Sequence, residues 1–181
     1  MVFEGLFSHP NALYREAINA LKEFKQYNKE DSIPVEASVP SIDRLTWQPP
    51  PQGIIKVNWD AALNMSAGWI GLGVVARDNL GWCLGARSVT RGMQMEPKTA
   101  EVMTAICAVE FSKEVGFFEV IFEWDAAQVV ADINMVSTNL SNTGYLTESI
   151  QQELKWFRAA SFVHVPRVLN SVAHALVGGC S

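Results

Sequence analysis

Three acidic residues, Asp60, Glu101 and Asp125, sit in three different hydrophobic stretches of the chain. Asp60 closes the run Ile54-Ile55-Lys56-Val57-Asn58-Trp59, and Asp125 closes Val120-Ile121-Phe122-Glu123-Trp124. Glu101 lies early in the apolar-periodic stretch that follows Pro97. A carboxylate beside hydrophobic surface is costly to desolvate unless something positive compensates it. For several carboxylates gathered at one place, the fitting compensation is a hard divalent ion, Mg²⁺ or its substitute Mn²⁺. Two such ions about 3.5–4 Å apart activate water and stabilise the leaving oxygen in phosphodiester cleavage. Each acid taken singly also has a plain role open to it. Asp60 would serve as a strand-end turn residue, Asp125 as a helix N-cap and Glu101 as a solvated first-turn acid.

Whether the acids meet depends on the elements that carry them. Residues 54–62, 69–77 and 82–90 read as strands, and Asp78-Asn79-Leu80-Gly81 as the turn joining the last two. So short a turn makes its strands antiparallel, and the loop Ala61–Gly68 predicts the same for the first pair. A long helix follows over about 97–115, with Val102, Ile106 and Val109 on one stripe and Gly116 as its stop. A fourth strand at 119–124 precedes helices over about 126–136 and 146–158. A fifth strand at 161–165 leads to a last helix at 168–177.

The predicted fold class is therefore α/β: a mixed five-stranded sheet, its first three strands antiparallel, with helices on both faces. Alternation puts Lys56, Asn58 and Asp60 on one face of the first strand, and Ile121, Glu123 and Asp125 on one face of the fourth. If these two strands lie side by side and parallel, Asp60 and Asp125 meet at their carboxyl ends, where ligand sites favour such sheets. Glu101, one turn into its helix, is then able to reach the same edge. Trp59 and Trp124 alternate away from the acids and read as core.

Upstream, residues 1–28 are expected to be an N-terminal helical segment, since Leu13, Ala17, Ile18, Leu21 and Phe24 recur at helical spacing over 11–29. It is the candidate contact for a protein partner. A Pro-rich linker over 29–52 ends in Trp47-Gln48-Pro49-Pro50-Pro51, with Trp47 expected to pack back onto the main domain at 53–181.

The chain of 181 residues is 49% hydrophobic, which supports a real core. Its formal net charge of −5 lacks the basic footprint of a general duplex-binding protein, which counts against tight duplex binding but does not exclude a cation-dependent site. Cys83, Cys107 and Cys180 have no metal-ligand spacing and read as reduced thiols. Met1 to Pro10 lacks the order of a secretory signal, and no apolar run approaches the ~18 residues of a membrane span. These features predict an intracellular protein without membrane association. Gly68, Gly71 and Gly73 lie within a strand-like run rather than before a helix. They are read as allowing another backbone to approach closely, not as a phosphate loop.

Six motifs in order resemble the ribonuclease H family, specifically the ribonuclease H-like domain of plant proteins related to retroelements (non-LTR reverse transcriptases). They are Trp47-Gln48-Pro49-Pro50; Gly53 with Lys56-Val57-Asn58-Trp59-Asp60-Ala61-Ala62; Gly71-Leu72-Gly73-Val74-Val75-Ala76-Arg77-Asp78; Ala100-Glu101; Glu123-Trp124-Asp125; and Asn170-Ser171-Val172-Ala173 leading to His174-Ala175-Leu176. The resemblance covers about residues 47–178. It implies a two-metal endonuclease that cuts the RNA strand of an RNA–DNA hybrid, with Asp60, Glu101 and Asp125 as the first three metal-binding acids. Where the family pattern has a fourth acid, four residues after Asn170, this chain has His174. An imidazole is a poor hard-ion ligand and brings no negative charge.

Arg167 is the candidate phosphate contact, because a guanidinium grips phosphate bidentately. Asn58, Asn64 and Asn170 are the other candidate substrate contacts, to backbone or 2′-hydroxyl groups. His164 falls within a strand pattern and is read as structural. The competing expectation is a nucleic-acid-binding or protein-interaction module that keeps the fold with weak or no catalysis.

Overall fold

A computed structural model describes residues 46–92, 95–135 and 142–178. The helix predicted over 11–29, and the linker up to residue 45, lie outside these residues. Five strands, β1 (Ile55–Asn64), β2 (Trp69–Arg77), β3 (Cys83–Gly92), β4 (Glu119–Trp124) and β5 (Ala159–His164), form one sheet in the order β3-β2-β1-β4-β5. The pairs β1/β2 and β2/β3 are antiparallel, and β1/β4 and β4/β5 are parallel. The helices are α1 (Pro97–Val115), α2 (Ala127–Asn134), α3 (Asn142–Leu154) and α4 (Ser171–Gly178). The mixed sheet with helices on both faces is thus as expected.

Local chemistry explains the borders. Asp78 Oδ1 accepts the N–H groups of Leu80 and Trp82 at 2.9 and 2.8 Å, closing the β2–β3 turn, and Gly81 supplies its positive φ of 78°. α1 begins at Pro97, whose missing N–H costs nothing in a first turn. It ends at Gly116, left-handed at φ 85°, with the N–H of Phe117 closing back on the carbonyl of Ser112 at 2.9 Å.

The chain's last helix departs from expectation. A 3₁₀ turn over Arg167–Asn170 precedes α4, which starts only at Ser171. Asn170 is the reason: its side-chain amide is committed to β1 and to Asp125. α3 also starts and stops earlier than its apolar spacing suggested, because Phe157 leaves the helix to pack edge-on against Phe122 in the core.

One face of the sheet packs on α1. Val57, Trp59, Val74, Ala76, Phe122 and Trp124 meet Val102, Ala105, Ala108 and Val109. Trp59 and Trp124 are fully buried, with ring centroids 5.1 Å apart, as their alternation predicted. Burying a large apolar side chain contributes roughly 1.5–3 kcal/mol, so this layer anchors the two strands that end in the acids.

The opposite face of β1 and β2 carries α4, and two glycines set how closely it sits. A Cβ at Gly73 would lie 2.9 Å from the backbone carbonyl of Ala173 and 3.1 Å from Cβ of Leu176. At Gly71 the obstruction is the Val177 side chain, also at 2.9 Å. Gly73 is the cross-strand partner of Asp60, so this close approach seats α4 directly beside the acid.

Gly73→Ala must displace helix backbone, whereas Gly71→Ala can be met by a side-chain shift. Denaturant unfolding is expected to show a loss of about 1–3 kcal/mol for Gly73→Ala and a smaller loss for Gly71→Ala. Equal stability of Gly73→Ala and wild type would contradict this packing.

Candidate active site

The parallel register of β1 and β4 pairs Asn58 with Glu123. Two residues further along each chain come Asp60 and Asp125, which therefore lie on the same face at neighbouring positions, at the spacing of adjacent strands (~4.8 Å). Their side chains keep only 10% and 12% of their surface.

Asp60 Oδ2 lies 2.6 Å from Nδ1 of His174 on α4. Asp125 Oδ1 accepts a hydrogen bond from Asn170 Nδ2 at 2.9 Å, and its Oδ2 is 3.6 Å from an Arg167 guanidinium nitrogen. The same Asn170 nitrogen donates to the Trp59 carbonyl at 2.8 Å. One buried amide thus ties the residue before Asp60 to the Asp125 carboxylate. Arg167 closes the ring with Nη2 at 3.3 Å from His174.

Glu101 arrives from the other face, on α1. Its pKa is raised, first by burial and then by the negative charges of Asp125 and Asp60. Lys98 pulls the other way, but it is paired with Asp132 at 2.7 Å. The three acids therefore share one electrostatic environment. Among the described residues, however, no three His, Cys, Asp or Glu side chains converge on a single ion position. The donor types and the crowding of like charge on Glu101 fit a hard cation. The contacts of His174 and Arg167 are what the acids now hold instead.

Beneath the acids is a second polar layer that the sequence did not disclose. Glu123 is buried, and its Oε2 accepts from Trp47 Nε1 at 2.8 Å and from Asn58 Nδ2 at 3.2 Å. Its Oε1 pairs with Lys56 at 2.6 Å. Arg77 donates to Asn58 Oδ1 at 2.7 Å and stacks on the Trp47 ring 3.4 Å from its centroid. Trp47 thus packs onto the domain as expected. Period-two alternation placed Lys56, Asn58 and Glu123 on this face, but nothing local marked Arg77 and Trp47 as their partners.

The candidate substrate contacts divide. Asn58 is wholly buried and both ends of its amide are used within the chain, so it joins strands rather than facing a groove. Asn170 is 1% exposed and acts as a positioning residue for Asp125. Asn64 lies at the β1–β2 turn, where its Oδ1 accepts from Ser66 and from the Ala67 N–H. Arg167 is 68% exposed and reaches the acids from the solvent side. His164 ends β5 beside Trp124, apart from the Asp60–His174–Arg167–Asp125 ring.

The sheet order and the acids at the ends of its central parallel strands define a ribonuclease H-like fold. Solved structures share it. The RNase H1 of the halophilic archaeon Halobacterium salinarum matches with TM-score 0.62 and 22% identity, over 69% of this chain and 95% of that one. LC11-RNase H1, isolated from compost by a metagenomic approach, matches with TM-score 0.63 and 25% identity, over 71% and 95%. A second structure of LC11-RNase H1, in complex with an RNA/DNA hybrid, matches with TM-score 0.60 and 25% identity, over 69% and 94%. By sequence, residues 58–180 match the reverse transcriptase-like family, and the chain belongs to it. Among curated proteins none matches. Among the described residues no helix is long and apolar enough to cross a membrane.

Because folding raises the Glu101 pKa, the native state binds this proton more tightly than the unfolded chain. The acid's contribution to stability is therefore greatest below its ordinary carboxylate range and falls as pH rises through the elevated native value. An NMR titration of the metal-free protein should give Glu101 a midpoint above that of an ordinary glutamate. Asp125→Asn should lower it by removing a like charge. A midpoint unmoved by Asp125→Asn would show that the two carboxylates are not coupled.

Proposed function

We propose that this chain is a metal-dependent endonuclease of the ribonuclease H type, hydrolysing the RNA strand of RNA–DNA hybrids. The observation that carries the reading is the placement of Asp60 and Asp125 side by side at the carboxyl end of the two central parallel strands, with Glu101 in electrostatic reach. The hybrid-bound structure of LC11-RNase H1 supports the choice of substrate.

Mg²⁺, or Mn²⁺ in its place, would be held by Asp60, Glu101 and Asp125 and would supply the activation of water and the stabilisation of the leaving oxygen. The chain's own residues do the rest. Asn170 keeps Asp125 turned toward Asp60 and fixes it to β1. The aromatic layer under Trp59 and Trp124 holds the two strand ends rigid, as preorganised catalysis requires. Arg167, on the exposed side, would grip a phosphate of the substrate. Asn64, with Oδ1 committed to its turn, would donate through Nδ2 to sugar or phosphate oxygens. The same reading includes an origin among retroelement-related plant proteins and an intracellular setting, on the strength of the sequence motifs.

A second reading has one specific observation behind it. His174 occupies the fourth-acid position and holds Asp60 at 2.6 Å, which would favour a nucleic-acid-binding or interaction module with weak or no catalysis. A labelled RNA–DNA hybrid with Mg²⁺ or Mn²⁺ separates the two. The enzyme reading predicts metal-dependent cutting of the RNA strand by wild type, at least about a hundredfold slower cutting by Asp60→Asn, and faster cutting by His174→Asp. No cutting by wild type, with cutting restored in His174→Asp, would establish the second reading for the natural chain. No cutting by either would remove the enzyme reading.

A further inference from the structure

Asp60 and Asp125 are buried except on one side, and that side carries a continuous strap. Since Nδ1 of His174 faces a carboxylate at 2.6 Å, it must carry the proton it donates to Asp60. Arg167 Nη2 lies 3.3 Å from both ring nitrogens, so the guanidinium rests over the face of the imidazole. The other guanidinium nitrogen, Nη1, lies 3.6 Å from Asp125 Oδ2. The strap runs Asp60–His174–Arg167–Asp125.

Its two members differ from the acids in one decisive respect. His174 is 50% and Arg167 68% exposed, so both can swing into water at little packing cost. Asp125 cannot follow, because Asn170 holds its carboxylate, and Asp60 stays on the buried strand β1, whose Trp59 carbonyl the same amide fixes.

We propose that His174 and Arg167 form a displaceable internal cover of the acid pair. Arg167 serves as a resident counter-cation that a divalent ion must displace, and once displaced it is free to take a substrate phosphate. The proposal rests on the metal-dependent reading above and adds an ordered competition to it. Arg167 either neutralises Asp125 or binds phosphate, and arrival of the metal decides which. Metal and substrate binding are then linked through this one side chain, since whatever removes Arg167 from Asp125 favours the other ligand.

Titration calorimetry with MnCl₂, on the folded full chain without nucleic acid, tests the cover directly. Removing an exposed competing ion pair is expected to make Arg167→Ala bind Mn²⁺ roughly two- to fivefold more tightly than wild type. Arg167→Lys, which keeps the charge, should stay close to wild type, and Asp60→Asn should abolish binding in every background. Mn²⁺ binding by Arg167→Ala alone would also support the cover. Equal or weaker binding by Arg167→Ala, with wild type binding Mn²⁺, would overturn the cover and leave the metal-dependent reading standing. Absence of Asp60-dependent Mn²⁺ binding in both wild type and Arg167→Ala would overturn both.

Discussion

Two carboxylates held on adjacent parallel strands, nearly out of water, are the constraint around which the rest of this structure is arranged. The register that pairs Asn58 with Glu123 leaves Asp60 and Asp125 no other relative placement. Two negative charges placed side by side repel each other. Asp125 is held by Asn170, and Asp60 is in contact with His174. Positive charge nearby relieves the repulsion, which also reaches Glu101 across the sheet edge, whose proton is held more tightly first by burial and then by the charges of Asp125 and Asp60.

The remaining architecture maintains that arrangement. The aromatic layer on the α1 face fixes the strands, and the polar layer around Glu123 locks their register with hydrogen bonds and ion pairs that would be mismatched by any slip. Gly73 lets α4 approach until His174 reaches Asp60. The two faces do different work: one supplies apolar burial, the other directed polar contacts. The acids lie at the edge where both end.

Much of this was legible in the chain itself. The strands announced themselves by β-branched runs and turn residues, and period-two alternation put Asp60 and Trp59 on opposite faces. Gly71 and Gly73 were readable as points of close approach because glycines inside an apolar strand have few other uses. What the sequence could not convey were contacts between residues far apart in the chain. The Arg77–Trp47 stack and the Trp47–Glu123 hydrogen bond span long separations and have no local signature. Asn58 looked like a groove residue because alternation gives a face and not what covers it, and Trp47, Arg77 and Glu123 cover that face. Asn170 delayed the last helix by a turn for a similar reason, since a helical apolar pattern carries no trace of a side chain bonded to a distant strand.

The central claim is that the paired acids are a cation site whose present partners are His174 and Arg167. The most direct measurement is the anomalous scattering of crystals soaked in millimolar Mn²⁺. The account predicts an anomalous peak contacted by both Asp60 and Asp125, with Arg167 turned away from Asp125, and no peak in crystals of Asp60→Asn. An unchanged Asp60–His174 contact with no Mn²⁺ at the acid pair would contradict it.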